Sequence, residues 1–468
     1  MIYNQIQYHQ TIYYNYETTN MSFIDMFNYL KNTGRKNHSF HLIIYDPDLI
    51  GVDPRDPLLS PIYKAKILRE CNINYWYFIR EVVRVPVQGG DVSGGIRYKL
   101  HRGNLALNFL FTMNYNVFLE LPRQNGKTTA ALIYYLWVYN FGSSNSEIMF
   151  VNKKHDDSKR ALQDLKKYRD ALPSYLQMSE NIDRQGKRVK ASNTATFMEN
   201  SINGNRIRTA PGARTKQLAN NLGRGCTMPL QYYDEFGWIL YNKEIYMAAV
   251  PAFSTASKNA AMNNSPYGIL ITTTPGDLTT NEGKFAEFMK NNATPFVEDY
   301  YDYDWDKLEQ VRQSNTNSSF FYVRYTYQQL GRGEDYFKQM VIDLQRDWSV
   351  IRREVLLEWT TANMNCPFSQ EDLDIIKSLC KPPINTILLG NVGQYQLNIY
   401  EPMNNNYPPI MGVDVSGGFQ KDASSITIID SKTTDVVATF NCNYISSPDL
   451  ARLIYEIVVK YIPNCIVI

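Results

Sequence analysis

Four groups of residues have types and spacings that could do chemistry. Lys127-Thr128-Thr129 follow a turn built on Pro122, Asn125 and Gly126, with the apolar run Phe118–Leu121 ahead and helix formers behind. That order reads as strand, phosphate loop and helix N-terminus, whose backbone N–H groups and dipole favour an anion. In such a loop Arg123, Gln124, Asn125, Gly126 and Thr129 line the nucleotide. Lys127 reaches its β- and γ-phosphates, and the Thr128 hydroxyl holds Mg²⁺. The strict pattern wants glycine at 121, where Leu121 stands. About 110 residues later, the apolar run Pro229–Tyr233 ends in Asp234-Glu235. An acid pair at a strand end suits ATP hydrolysis: Asp234 for the Mg²⁺ shell, Glu235 to orient and activate water. A third run, Tyr267–Ile271, ends in Thr272-Thr273-Thr274 before Pro275-Gly276. Hydroxyls at that end of a parallel sheet can sense a γ-phosphate. Asp414 and Asp422 belong to a separate, C-terminal pattern.

The elements that must position these groups alternate strand and helix, which predicts an α/β fold with a mainly parallel sheet. A helix over 98–113 feeds the strand before the loop. On it Arg102 and Asn104 stand where many motors place an adenine-reading side chain, although Asn104 is equally suited to cap the helix. After the loop, Thr128–Asn140 is helical and Glu147–Val151 is a buried strand. Lys153, Lys154, Lys159, Arg160, Lys166, Lys167 and Arg169 follow on a helix, either as a solvated face or as a DNA-tracking surface. Segments 194–198 and 206–209 form a hairpin around Asn203-Gly204. Gly223-Arg224-Gly225 is a loop able to bring a guanidinium to phosphate. A short helix over 244–250 is expected to stop near Pro251. Residues 295–360 read as helical, with Arg324, Arg332, Arg352 and Arg353 available for DNA, nucleotide or a neighbouring subunit.

The segment 410–468 reads β-β-β-α-β, with Asp414 in the first strand and Asp422 in the Gly-rich turn after it. Ribonuclease-H-like nucleases begin this way. Their chemistry needs two divalent metals (Mg²⁺ or Mn²⁺) on three or more carboxylates. Asp414 is the natural bridging ligand; Asp422 is either a second ligand or a turn cap. The fourth strand begins at Cys465 and the sequence ends at Ile468, so this domain is expected to be truncated and not to cleave DNA alone.

Composition sets wider bounds. At 468 residues the chain is expected to hold two or three domains. A formal net charge of +2 gives no global basic field, so nucleic acid would meet local patches. Six scattered cysteines without CxxC spacing read as reduced thiols of a cytosolic protein. The N-terminus has no signal-peptide pattern and no apolar run reaches 18 residues, so no membrane partner is expected.

Taken together, PRQNGKTT (122–129), YYDEFGW (232–238), ITTTPG (271–276) and GVDVSGGFQKD (412–422) resemble the large terminase subunit of tailed phages. WYFIREVVRVP (76–86) and HRGNLA (101–106) also look like that family's lead-in to the loop. The resemblance implies an ASCE/RecA-like P-loop ATPase followed by a partial ribonuclease-H-like nuclease. Its expected parts are an extension (1–66), an ATPase core (67–295), a helical lid (296–360), a linker (361–385) and the nuclease (386–468). It implies ATP-driven translocation of double-stranded DNA into a procapsid and metal-dependent cutting of concatemers. It makes Arg123 a cis arginine finger and Thr272–Thr274 a coupling motif. Implied partners are portal protein, a small terminase subunit and further copies in a ring, in the host cytoplasm. Two other readings stay open: a helicase-like DNA-remodelling ATPase, and a non-catalytic fragment that binds DNA or a partner.

Overall fold

Runs of β-branched and aromatic residues bounded by turn formers build the large sheet of the computed structural model. The structure describes residues 11–467 except 88–94, 178–181, 183–184, 190–192, 211–212, 214, 223–227, 361–369, 391–392, 403–407, 417–421 and 462–464. The expected loop Gly223-Arg224-Gly225 lies outside the described residues. The chain divides into two compact units, Met1–Gln370 and Glu371–Ile468.

In the first unit, eight strands are labelled along the chain. They are β1 (Asn116–Glu120), β2 (Glu147–Asn152), β3 (Phe197–Glu199), β4 (Arg206–Thr209), β5 (Leu230–Asp234), β6 (Gly268–Thr273), β7 (Thr294–Pro295) and β8 (Phe320–Arg324). Their order across the sheet is β7-β8-β1-β6-β5-β2-β4-β3. Every neighbouring pair is parallel except the β3–β4 hairpin. The threonine strand β6 therefore lies between the phosphate-loop strand β1 and the acid strand β5. Register sets Thr272 beside both Leu119 and Asp234. This is an α/β P-loop fold of the RecA-like kind. Helices α1 (Met21–Asn32), α2 (Pro61–Ile73), α3 (Arg102–Thr112), α4 (Lys127–Trp137), α5 (His155–Asp170), α6 (Asn242–Met262), α7 (Asn281–Asn292), α8 (Glu334–Asp343) and α9 (Trp348–Glu354) complete what is needed here.

Two expectations change. The segment 295–360 is not all helical, because Phe320–Arg324 is strand β8, paired residue for residue with β1. Its aromatic and β-branched side chains fit a sheet beside a buried strand better than a helix. Helix α6 does not stop at Pro251 but runs through it. The ring removes the bond to the Met247 carbonyl on a face where Met247 and Pro251 are exposed, so water can serve instead. The described part of the segment read as an extension packs into the core of the first unit. Phe23, Leu30, Phe40 and Leu42 belong to the same buried cluster as Leu119 and Ile133. Fully buried Arg80 ties them in, donating to the carbonyls of His41 (2.7 Å) and Ile43 (3.2 Å) and to Glu81 (2.8 Å). Within the stretch read as a linker, Gln370–Leu379 is helical.

The second unit holds β9 (Asn385–Leu389), β10 (Tyr395–Ile399), β11 (Ile410–Asp414), β12 (Ser424–Ile429), β13 (Val436–Cys442), helix α10 (Ser447–Tyr461) and β14 (Cys465–Val467). The sheet order is β9-β10-β13-β12-β11-β14. Strand β11 is antiparallel to β12 and parallel to β14, which is the β-β-β-α-β arrangement read from the sequence. The hairpin β9–β10 is an addition. Tyr395, Leu397 and Ile399 point to the core while Gln396 points out, a period-two pattern interrupted by too many amides to stand out.

Candidate active site

The phosphate loop turns where the backbone allows it. Gly126 adopts φ 72°, ψ 19° at the mouth of α4, a left-handed conformation that glycine enters without strain. Gln124 is also left-handed, at φ 60°. The buried Asn125 amide donates to the carbonyls of Pro122 and Arg123, both at 3.1 Å, and so closes the loop on itself. Arg123 and Gln124 are exposed, and the Arg123 N–H donates to the Glu354 carbonyl at 3.1 Å. Lys127 is buried, and its Nζ donates to the Leu121 carbonyl at 2.7 Å. Burial pushes its pKa down, opposed by the fields of Glu235, Asp234, Glu354 and Glu120. Thr129, one turn into α4, is half-buried.

Asp234 is the hub. It is 6% exposed, yet its carboxylate accepts four hydrogen bonds. Oδ1 takes the Thr272 hydroxyl (2.6 Å) and the Glu235 N–H (3.1 Å). Oδ2 takes the Thr128 hydroxyl (3.1 Å) and the Asn152 amide (3.4 Å). Burial raises its pKa, as does neighbouring Glu235, while Thr272, Lys127 and Thr128 favour the charged form. Glu235 stands in the left-handed region (φ 55°, ψ 47°), a strained conformation of the kind found at functional sites. The Thr274 hydroxyl reaches its Oε2 at 3.4 Å. Thr273 turns aside, accepting the Gly237 N–H and donating to the Thr274 carbonyl. Thr128 and Asp234 are hard oxygen donors meeting at the helix N-terminus, a set that suits Mg²⁺.

Two residues are placed elsewhere. The Arg102 guanidinium is bound to Glu298 (2.7 Å) and lies between the Tyr29 and Tyr325 rings, 4.9 and 5.0 Å from their centroids. The Asn104 side chain accepts the His101 N–H (2.7 Å) and donates to the Lys99 carbonyl (2.9 Å), so it is the helix cap. Arg102 is thus engaged in an ion pair, and of the two roles read for Asn104 the structure shows the cap. Part of the basic run after β2 is neutralised locally: Lys159 pairs with Asp156 and Lys167 with Asp164.

Sequence reading missed two participants. His101 caps α3 from Nδ1 and bonds the Asn125 carbonyl through Nε2 (3.2 Å), which ties that helix to the phosphate loop. Enclosure lowers its pKa to about 4, so the ring is neutral at pH 7. Asn152 ends β2 in register with Asp234, an arrangement visible only once the sheet order is known.

In the second unit, Asp414 ends β11 and is exposed, and Asp422 is exposed in the turn beyond. Among the described residues no group of three or more His, Cys, Asp or Glu is placed to hold a metal ion. The two aspartates alone do not fit a two-metal centre. Also among the described residues, no helix is long and apolar enough to cross a membrane.

No family model and no curated protein matches the chain. Solved structures do. The large terminase of bacteriophage HK97 matches at 12% identity and a TM-score of 0.39, over 80% of this chain and 70% of that one. The large terminase ATPase domain of Thermus phage P74-26 matches at 16% and 0.34, over 59% of this chain and 99% of that one. A large terminase from a thermophilic bacteriophage, solved in complex with ADP, matches at 12% and 0.35, over 78% and 74%.

Proposed function

We propose that this chain is a P-loop ATPase of the large-terminase kind, which couples ATP hydrolysis to movement of double-stranded viral DNA into a procapsid. The observation that supports it is the convergence on Asp234 of Thr128 from the phosphate loop and Thr272 from the interposed strand, with Glu235 adjacent and within reach of Thr274. A generic acid pair at a strand end would have no reason to meet all three motifs.

In this reading the loop N–H groups and Lys127 bind the β- and γ-phosphates, and Thr128 and Asp234 hold Mg²⁺. The ion would neutralise charge on the phosphate oxygens. Glu235 orients the attacking water and accepts its proton. Thr274 holds the Glu235 carboxylate, so water activation answers to the strand that carries the threonines. Arg123 supplies a cation toward the γ-phosphate from its exposed position on the loop. The remaining partners, a portal protein, a small subunit and further copies in a ring, follow from the same reading.

The test is DNA-stimulated ATP hydrolysis by the purified chain. Lys127→Ala and Glu235→Gln should each reduce turnover on the order of 10²-fold or more. Glu235→Gln should still bind ATP, since the lost group acts on water. Undiminished turnover in either variant sinks the assignment.

A further inference from the structure

Residues 353–360 cross the carboxyl-terminal edge of the first unit's sheet and touch the phosphate loop, the end of β1, the turn after Glu235, the end of β8 and the loop beyond β6. The Glu354 carbonyl accepts the Arg123 N–H of the phosphate loop. The Arg353 guanidinium lies 5.0 Å from the ring centre of Trp238, in the turn after Glu235. The carbonyls of Leu356 and Leu357 accept Arg324 Nη2, at the end of β8, at 3.2 and 3.3 Å. The Thr360 carbonyl accepts the Leu278 N–H (3.1 Å), beyond the end of β6.

The firmest tie is the least expected from chemistry. The Trp359 indole N–H donates to Glu120 Oε1 at 2.8 Å. Glu120 is fully buried at the end of β1, and its other carboxylate oxygen accepts the Tyr322 hydroxyl. Arg324 stands 3.8 Å away. A buried carboxylate is costly, and a well-packed apolar group of the same volume usually stabilises a fold as well or better. Its location is what distinguishes it. Glu120 immediately precedes Leu121, whose carbonyl holds the Lys127 ammonium, and it pairs in register with Thr273 of the threonine strand. One hydrogen bond from Trp359 thus fixes the crossing segment to the residue that leads into the phosphate loop.

We propose that Trp359 and Glu120 are a positioning pair for ATP hydrolysis: their hydrogen bond seats the 353–360 segment against the end of β1 and sets the working position of Lys127 and the loop. The inference rests on the ATPase reading. Neither residue belongs to the phosphate loop, so the pair acts through the placement of Lys127 and the loop, and its loss is expected to weigh more on the chemical step than on nucleotide affinity.

The test compares the parent chain with Trp359→Phe, Glu120→Gln and the double variant. Steady-state kinetics are measured at a temperature where circular dichroism shows each to be folded. Trp359→Phe keeps the ring and removes only the donor. Its kcat should fall about fivefold or more with KM for ATP within about twofold, and the double variant should be no slower than the slower single one, the non-additivity expected of one shared bond. Should Trp359→Phe not fold, Arg324→Met cuts the neighbouring tie to Leu356 and Leu357 and should give the same split. Parent-like kcat in the folded variant, or a loss confined to KM, overturns the inference while leaving the ATPase reading intact. A parent chain that neither binds nor hydrolyses ATP overturns both.

Discussion

Thr272 shows how much one hydroxyl can carry. It is fully buried and donates the shortest of the four bonds to Asp234. Thr272→Val keeps the shape and removes the donor, leaving a buried carboxylate under-satisfied at a cost of about 1–3 kcal/mol. If a similar loss falls on the active arrangement, ATP turnover drops on the order of 10-fold. Turnover and urea midpoint measured on the same preparation check this; unchanged values for both would show that the other three donors suffice. That Lys127, Thr128, Asp234 and Glu235 would be brought together was legible in the sequence, because a phosphate-loop pattern restricts which residue types follow one another. Asn152, His101 and Glu120 were not. An amide, an imidazole and a carboxylate have many ordinary uses, and only the parallel register and the packing of α3 give these three a particular one. Asn104 illustrates the same ambiguity from the other side, since a capping amide and a base-reading amide look alike until the local hydrogen bonds are known.

At the scale of elements, the junction before α7 depends on a missing side chain. A Cβ on Gly283 would lie 2.0 Å from the Asp277 carbonyl oxygen, a backbone atom with no freedom to swing away. Gly283→Ala should therefore force the helix off the preceding loop and cost about 1–3 kcal/mol or more, as overpacking does. A melting midpoint equal to the parent's would mean the helix start shifts without penalty. The same loop carries Leu278, whose N–H holds the Thr360 carbonyl at the end of the crossing segment 353–360, so this defect should also be felt at the nucleotide edge. Strands with a clean apolar run, β1, β2, β5 and β6, could be read directly. Strand β8 could not, because its tyrosines and phenylalanines continue a helical-looking stretch on both sides. Its identity comes from pairing with β1, a tertiary fact. Helix α6 was misread for a complementary reason: proline is a local rule, and an exposed carbonyl lets water set it aside.

For the whole first unit, two enclosed histidines make stability depend on acid. Burial lowers His41 to about 3 and His101 to about 4, against about 6.5 in an unfolded chain. Because the folded pKa values are the lower ones, the unfolded state takes up protons first as pH falls. Stability is therefore complete above about pH 6.5 and declines below it by about 1.4 kcal/mol per pH unit for each histidine, until the folded values are reached. All six tryptophans lie in the first unit, so their fluorescence reports its unfolding. Urea midpoints between pH 7 and 5 should fall, and His101→Asn, which retains a capping side chain, should remove about half of that slope. An unaltered slope in the variant would contradict the assignment.

The histidine nearer the N-terminus belongs to the segment folded into the core, and that segment has a consequence for synthesis. Tyr29 bonds to Glu298, 269 residues away, and Asn37 bonds to the Tyr301 carbonyl, 264 residues away. Phe40 stacks on the Tyr301 ring, with centroids 5.2 Å apart. The first helix leaves the ribosome early, but its partners near residue 300 follow only after roughly 15–50 s at ordinary elongation rates. For that interval Phe40 lacks the ring it stacks on, and the first unit cannot close its core while the chain is still growing toward residue 300.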